Sequence, residues 1–144
     1  MRIAMVGTGY VGLVSGACFS EFGHETVCVD LDANKIDELK RGVIPIYEPG
    51  LDTLVNGNAA AGRLSFTTDL AQAVAEADAV FIAVGTPTRR GDGHADLTYV
   101  YDAARQIAMA ATSYTVIVTK STVPVGTSRE VARIVAEANP HVEF

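Results

Sequence analysis

Residues 2–30, RIAMVGTGYVGLVSGACFSEFGHETVCVD, decide the fold. Arg2 to Val6 is an apolar run of strand length, and Gly7-Thr8-Gly9-Tyr10-Val11-Gly12 turns it into a helical stretch from Tyr10 to Phe22. Thr26 to Val29 is a second apolar strand that ends in Asp30, eighteen residues beyond Gly12. A GxGxxG spacing by itself is a common structural turn. Opening a helix between two strands, with an acid closing the second, it is the pattern of a dinucleotide-binding βαβ unit. Gly7 permits the tight turn, Gly9 lets a pyrophosphate approach the backbone, Gly12 allows close helix-to-strand packing, and the helix N-terminus offers its dipole and unpaired N–H groups.

Asp30 can accept hydrogen bonds from both hydroxyls of a ribose, and its charge opposes a 2′-phosphate, which favours NAD over NADP. Its competing role would be to cap the helix that begins nearby, but Asp32 can serve as that cap. Lys35, one turn into the same helix, either reaches the adenosine end of the ligand or is an ordinary solvated lysine.

The pattern continues outward as strands alternating with helices, which predicts an α/β, doubly wound parallel sheet occupying residues 1–144 as one domain. A second helix runs from Asp32 to Arg41 and is ended by Gly42. Regularity lapses from Val43 to Gly62, where Pro45 and Pro49-Gly50 mark an insertion and Leu51 to Val55 is at most a short helix closed by Asn56-Gly57. Leu64 to Thr67 is a third strand, Asp69 caps a helix to about Glu76, and Ala79 to Val84 is a fourth, fully apolar strand. Asp96 caps a helix to about Ala111, Thr115 to Thr119 is a fifth strand, and Thr127 to Ala138 is the last helix. Val142 to Phe144 reads as the beginning of a sixth strand, on which the sequence stops.

Composition excludes several classes of function. The 144 residues are 49% hydrophobic and 19% charged, with a mean hydropathy of +0.23, which predicts a compact fold rather than disorder. A net charge of −6 and a pI near 4.9 argue against a nucleic-acid partner. No apolar run approaches the ~18 residues of a membrane span, and the first strand begins at once without a leader, so a cytoplasmic protein is expected.

Ligands of a doubly wound sheet bind at the carboxyl ends of its strands. That rule selects Gly85-Thr86-Pro87-Thr88 after the fourth strand and Ser121-Thr122-Val123-Pro124-Val125-Gly126 after the fifth as candidate cofactor loops, although ordinary loops also contain Thr and Pro. Cys18 and Cys28 sit inside a helix and a strand and read as packing residues. His24, His94 and His141 have no metal-like spacing, and Asp92, Gly93 and Asp96 match a calcium loop only superficially. No metal is expected.

Four motifs in order, GTGYVG at 7–12, PIYEPGL at 45–51, VGTPT at 84–88 and KSTVPVGT at 120–127, resemble the N-terminal domain of the UDP-glucose 6-dehydrogenase family. The resemblance covers the whole chain. It implies an enzyme that oxidises the C6 alcohol of UDP-glucose to UDP-glucuronate with two NAD. It implies NAD contacts for Val11, Asp30, Lys35, Thr86 and Ser121, with Tyr10 and Pro87 belonging to the same motifs. Thr122 is placed near the nicotinamide, where it helps to orient a catalytic water. GDP-mannose and UDP-N-acetylmannosamine dehydrogenases share the glycine motif, but KSTVPVGT resembles the UDP-glucose branch more closely. In the family the glutamates, the substrate domain, the homo-oligomer contacts and the cysteine nucleophile follow the sixth strand. Oxidation past an aldehyde needs such a thiolate, so the chain alone is expected to hold NAD and turn over nothing. A stand-alone NAD-sensing module is the competing class.

Overall fold

A computed structural model of the chain describes residues 1–89, 91 and 93–144. The loop aspartate Asp92, read above as no calcium ligand, lies outside the described residues. In chain order the elements are β1 (Arg2–Val6), α1 (Tyr10–Glu21), β2 (Glu25–Val29), α2 (Ala33–Lys40), α3 (Leu51–Ala60), β3 (Leu64–Thr67), α4 (Leu70–Ala75), β4 (Ala79–Ile82), α5 (Thr98–Ala110), β5 (Val116–Thr119) and α6 (Thr127–Ala138). The strands form one parallel sheet in the order β3-β2-β1-β4-β5. The order reverses at β1, so the chain winds first to one side and then to the other, as the alternating pattern predicts.

Apolar residues fill both faces because the strands alternate sides with a period of two. Ala4 and Val6 of β1, with Val80 and Ile82 of β4, join Val100, Ile107 and Val131 from the α5 and α6 layer. Met5 and Cys28 point the other way, into a second core with Leu13, Ala17, Ile36 and Val55 from the α1 to α3 layer. Met5, Leu13 and Ile107 are fully buried, each contributing about 1.5–3 kcal/mol by removal from water. Gly16 brings α1 against β2: a Cβ there would lie 2.6 Å from the Cys28 Sγ.

The sequence misplaces three features. α3 does not close at Asn56-Gly57 but continues to Ala60, because Leu51, Val55 and Asn58 form one buried face. Its stop is Gly62, at φ 72°, where the Gly62 and Arg63 N–H groups bond back to the Ala59 and Asn58 carbonyls and close a left-handed cap. α5 starts at Thr98 rather than directly behind Asp96, whose carboxylate accepts from the Thr98 N–H and hydroxyl at 3.0 and 2.6 Å. Residues 142–144 are irregular rather than a sixth strand. Val142 and Phe144 pack against the α5–α6 core, and the Glu143 carbonyl accepts from the Thr115 N–H at 3.3 Å, a single bond where a ladder needs several.

Candidate functional site

At the switch point, the carboxyl ends of β1, β2 and β4 open into a cleft of about 560 Å³. Gly7, Gly9, Asp30 and Lys35 all line it, so four of the sequence candidates share one cavity. The fold itself demands two of the glycines. Gly7 adopts φ 103°, and a Cβ on it would lie 2.5 Å from the Ala83 carbonyl oxygen. A Cβ on Gly12 would lie 1.9 Å from the Gly7 carbonyl oxygen. Gly9 differs: its φ of −72° suits any residue, and a Cβ there would meet nothing within 4 Å. No element of the fold requires glycine at this place. The open space leaves the backbone there accessible to a group in the cleft.

Gly9 is also the N-cap of α1 and carries no capping side chain, and the first turn holds no acid. The first-turn N–H groups have no partners inside the helix, and they are left to whatever anion enters the cleft. Such a turn can accept an anionic group such as a pyrophosphate.

Asp30 is held from four directions. Its Oδ2 accepts from the Thr8 N–H at 2.9 Å, the Thr8 hydroxyl at 2.6 Å and the Lys35 ammonium at 3.0 Å, and its Oδ1 accepts from the Asp32 N–H at 3.1 Å. Partial burial pushes its pKa upward, but the hydrogen bonds from Thr8, Asp32 and Lys35 outweigh this and bring it to about 2. The group is therefore an anion of fixed orientation at neutral pH. Asp32 caps α2 by accepting from the Asn34 and Lys35 N–H groups at 3.0 and 3.2 Å, which leaves Asp30 out of that role. Thr8, fully buried, is the positioning residue that sequence reading overlooked, since it fills a variable place in the glycine motif.

The remaining candidates stand apart from this cleft. Tyr10 and Val11 are exposed on the first turn of α1. The Tyr10 hydroxyl donates to the Glu48 carboxylate, which holds the phenol above its ordinary pKa, so the PIYEPGL segment is tied to the glycine turn. The Ser121 hydroxyl donates to the Val84 carbonyl at 2.8 Å and the Thr86 hydroxyl to the Thr122 carbonyl at 3.1 Å. These two bonds stitch the loops after β4 and β5 together and leave each hydroxyl oxygen able to accept. Pro87 and Thr122 are exposed on those loops, and the Pro87 carbonyl accepts from the Asp96 N–H at 2.7 Å. Val84 and Gly85 connect this pair of loops to the cleft wall.

Leu31, Leu70, Tyr99, Asp102 and Gln106 also line the cleft and were not singled out from sequence. The α5 residues among them recur at helical spacing. That signal is readable in sequence, but which face of α5 meets the cleft is not. Cys28 is fully buried and its thiol is pushed up to about 12 by loss of solvation, which makes it inert as a nucleophile. Among the described residues, no group of three or more His, Cys, Asp or Glu is placed to hold a metal, and no helix is long and apolar enough to cross a membrane.

The profile described as the UDP-glucose/GDP-mannose dehydrogenase family, NAD binding domain, matches residues 1–144. A UDP-glucose 6-dehydrogenase of Rhizobium meliloti is 67% identical over 140 residues, covering 97% of this chain and 32% of that protein. Among solved structures, a UDP-glucose dehydrogenase from Pyrobaculum islandicum superposes with a TM-score of 0.93 at 43% identity, over 99% of this chain and 34% of that one. A GDP-mannose dehydrogenase from Pseudomonas aeruginosa, solved as a ternary complex, superposes with a TM-score of 0.92 at 39% identity, over 99% of this chain and 33% of that one. The chain thus spans about a third of the length of these relatives. With a glycine cradle and an anchored acid at the switch point, and a match from its first residue to its last, the chain belongs to the UDP-glucose/GDP-mannose dehydrogenase family, of which it carries the NAD binding domain.

Proposed function

We propose that residues 1–144 are the cofactor-holding unit of a cytoplasmic, homo-oligomeric UDP-glucose 6-dehydrogenase, which oxidises UDP-glucose to UDP-glucuronate with two NAD. The observation that carries this is the contrast between Gly9, where the fold leaves an unexplained opening, and Gly7 and Gly12, where it does not. NAD, when bound, supplies the hydride acceptor.

The residues of this chain bind and orient it. The first turn of α1 and the open face of Gly9 take the pyrophosphate, with Tyr10 and Val11 beside it. Asp30 accepts from the adenosine ribose, its orientation fixed by Thr8 and its charge balanced by Lys35. An anion in that place also disfavours a 2′-phosphate, hence NAD rather than NADP. Thr86, Pro87, Ser121 and Thr122 form the nicotinamide end, where the hydroxyl oxygens of Thr86 and Ser121 remain acceptors for an amide donor. Thr122 would orient the catalytic water from there. The match to the Rhizobium meliloti protein supports UDP-glucose as the substrate. The same cofactor unit would equally serve an enzyme for GDP-mannose.

Calorimetric titration of the chain with NAD, paired with absorbance at the NADH band after addition of UDP-glucose, tests the assignment. NAD binding without NADH formation is expected, because Cys28 is buried with its thiol pushed up to about 12 and Cys18 is only partly exposed within α1. UDP-glucose-dependent NADH from the pure chain would show that the nucleophile lies within it. Asp30→Ala should weaken NAD by about tenfold or more, and unchanged affinity would remove the ribose role.

A further inference from the structure

We propose that Glu48 is a positioning residue for the dinucleotide: through the Tyr10 hydroxyl it braces the first turn of α1, replacing a helix cap without occupying the N–H groups that a pyrophosphate needs. The inference rests on the dinucleotide reading above and adds to it the residue that prepares the turn. An N-cap side chain ordinarily fixes the start of a helix by accepting from N–H groups of its first turn. α2 and α4 are built in this way, on Asp32 and Asp69. α1 is not, because its N-cap is Gly9. A capping side chain there would take up donors that the cleft leaves to an anion. An end without a cap frays, so a helix start that keeps both its shape and its free donors needs support from elsewhere.

Tyr10 is the handle for that support. It is the first residue of α1, and its hydroxyl donates to the carboxylate of Glu48, thirty-eight residues further along the chain. The same carboxylate holds the phenol above its ordinary pKa, so the donated proton stays in place. Glu48 is itself firmly set. Residues 43–50 form a strap in which Ile44 and Ile46 turn inward onto the core of the α1 to α3 layer, whereas Tyr47 is 92% exposed. The alternation brings Glu48 back to the inward side. Backbone bonds tie both ends of the strap: the Val43 N–H donates to the Glu38 carbonyl at 2.9 Å and the Leu51 N–H to the Glu48 carbonyl at 3.1 Å. On the helix, Val14 lies one turn beyond Tyr10 and packs against the same core as the two isoleucines. The bond therefore joins elements already packed together, and it draws the phenol aside: Gly9 lines the cleft and Tyr10 does not. A turn braced before the ligand arrives needs no ordering when the ligand binds.

The test compares NAD and ADP-ribose, which carry the pyrophosphate, with adenosine, which carries only the base and its ribose, in titrations followed by nuclear magnetic resonance. Glu48→Ala and Tyr10→Phe should each weaken NAD and ADP-ribose about fivefold, the worth of one hydrogen bond, and leave adenosine as it was. Glu48→Gln keeps an acceptor in the same place and should bind NAD within about twofold of the unaltered chain. The double variant should lose no more than either single one, since both break the same bond. Circular dichroism will confirm that the variants fold. An equal loss for all three ligands would make the bond a general support of the fold and overturn the positioning role. Tighter NAD binding by Glu48→Ala would overturn it too, by showing that the carboxylate acts on the ligand as a repelling charge. The two levels separate in the unaltered chain: if ADP-ribose binds no more tightly than adenosine, the pyrophosphate reading fails and the brace with it, whereas a preference for ADP-ribose that survives undiminished in Glu48→Ala and Tyr10→Phe overturns the brace alone.

Discussion

A methyl group added at Gly12 collides with the Gly7 carbonyl, while one added at Gly9 enters open space, and the two substitutions should therefore fail in different ways. Gly12→Ala is expected to cost several kcal/mol, since the clash is with backbone that cannot swing aside, and a urea melt would register it. Gly9→Ala should melt within about 0.5 kcal/mol of the unaltered chain yet lose NAD affinity by tenfold or more. A Gly9→Ala chain that bound NAD normally would remove the pyrophosphate cradle. Asp30 carries a pH signature. Its folded pKa of about 2 lies below the ordinary 3.8, so its contribution is fully present above the unfolded value and is lost as pH falls from 3.8 through 2. For a partly exposed group that contribution is on the order of 1 kcal/mol. Asp30→Asn should flatten the fall in urea midpoint across this acidic window, and an unchanged slope would show that the four donors do not hold the carboxylate as described. The GxGxxG turn and the place of Asp30 at the end of β2 were both legible in sequence because each placement is set locally. Thr8 was not, because its value depends on a carboxylate twenty-two residues away.

At the scale of elements, the least legible piece was α3. Asn56-Gly57 has the composition of a turn, but the helix runs through it because Asn58, 1% exposed, ties α3 to α1 and to the turn before β3. Its Nδ2 donates to the Glu21 carboxylate at 2.9 Å and to the Leu54 carbonyl at 2.9 Å, and its Oδ1 accepts from the Arg63 Nε at 3.0 Å. Tertiary hydrogen bonds thus override a local turn signal. Asn58→Ala strips these partners and should destabilise by about 1–3 kcal/mol, seen as a lower denaturant midpoint at constant slope. NAD affinity should remain unchanged, since the network lies away from the cleft lining. A variant of undiminished stability would mean that the helix persists for other reasons. The strands were far easier to read, because a buried parallel strand is a nearly uninterrupted apolar run bounded by turn residues, as in β1 and β4.

Over the whole molecule, the two cores lie on opposite faces of one sheet and share its strands, Met5 facing one and Val6 the other. Neither layer can lose its packing without uncovering strands that support the other, so both should melt together. Cys28 reports this directly: buried and held protonated, it should react with a disulfide reagent only when the sheet opens. In a Cys18→Ala chain, thiol labelling and far-ultraviolet circular dichroism should give one midpoint, and labelling well ahead of the dichroism change would show that the α1–α3 layer opens alone.

The sequence by itself determined the alternating strands and helices, the dinucleotide turn and the acid after the second strand, because these depend on residues close together along the chain. Its four motifs further identified the family. Only the tertiary structure decided which candidates share a cavity. Gly7, Gly9, Asp30 and Lys35 meet in one cleft, Thr86 and Ser121 stitch neighbouring loops, and a face of α5 that no motif marked forms the opposite wall. The reason is physical: strand order and the direction of a helix face are set by how the two cores pack, and local propensity carries no record of either.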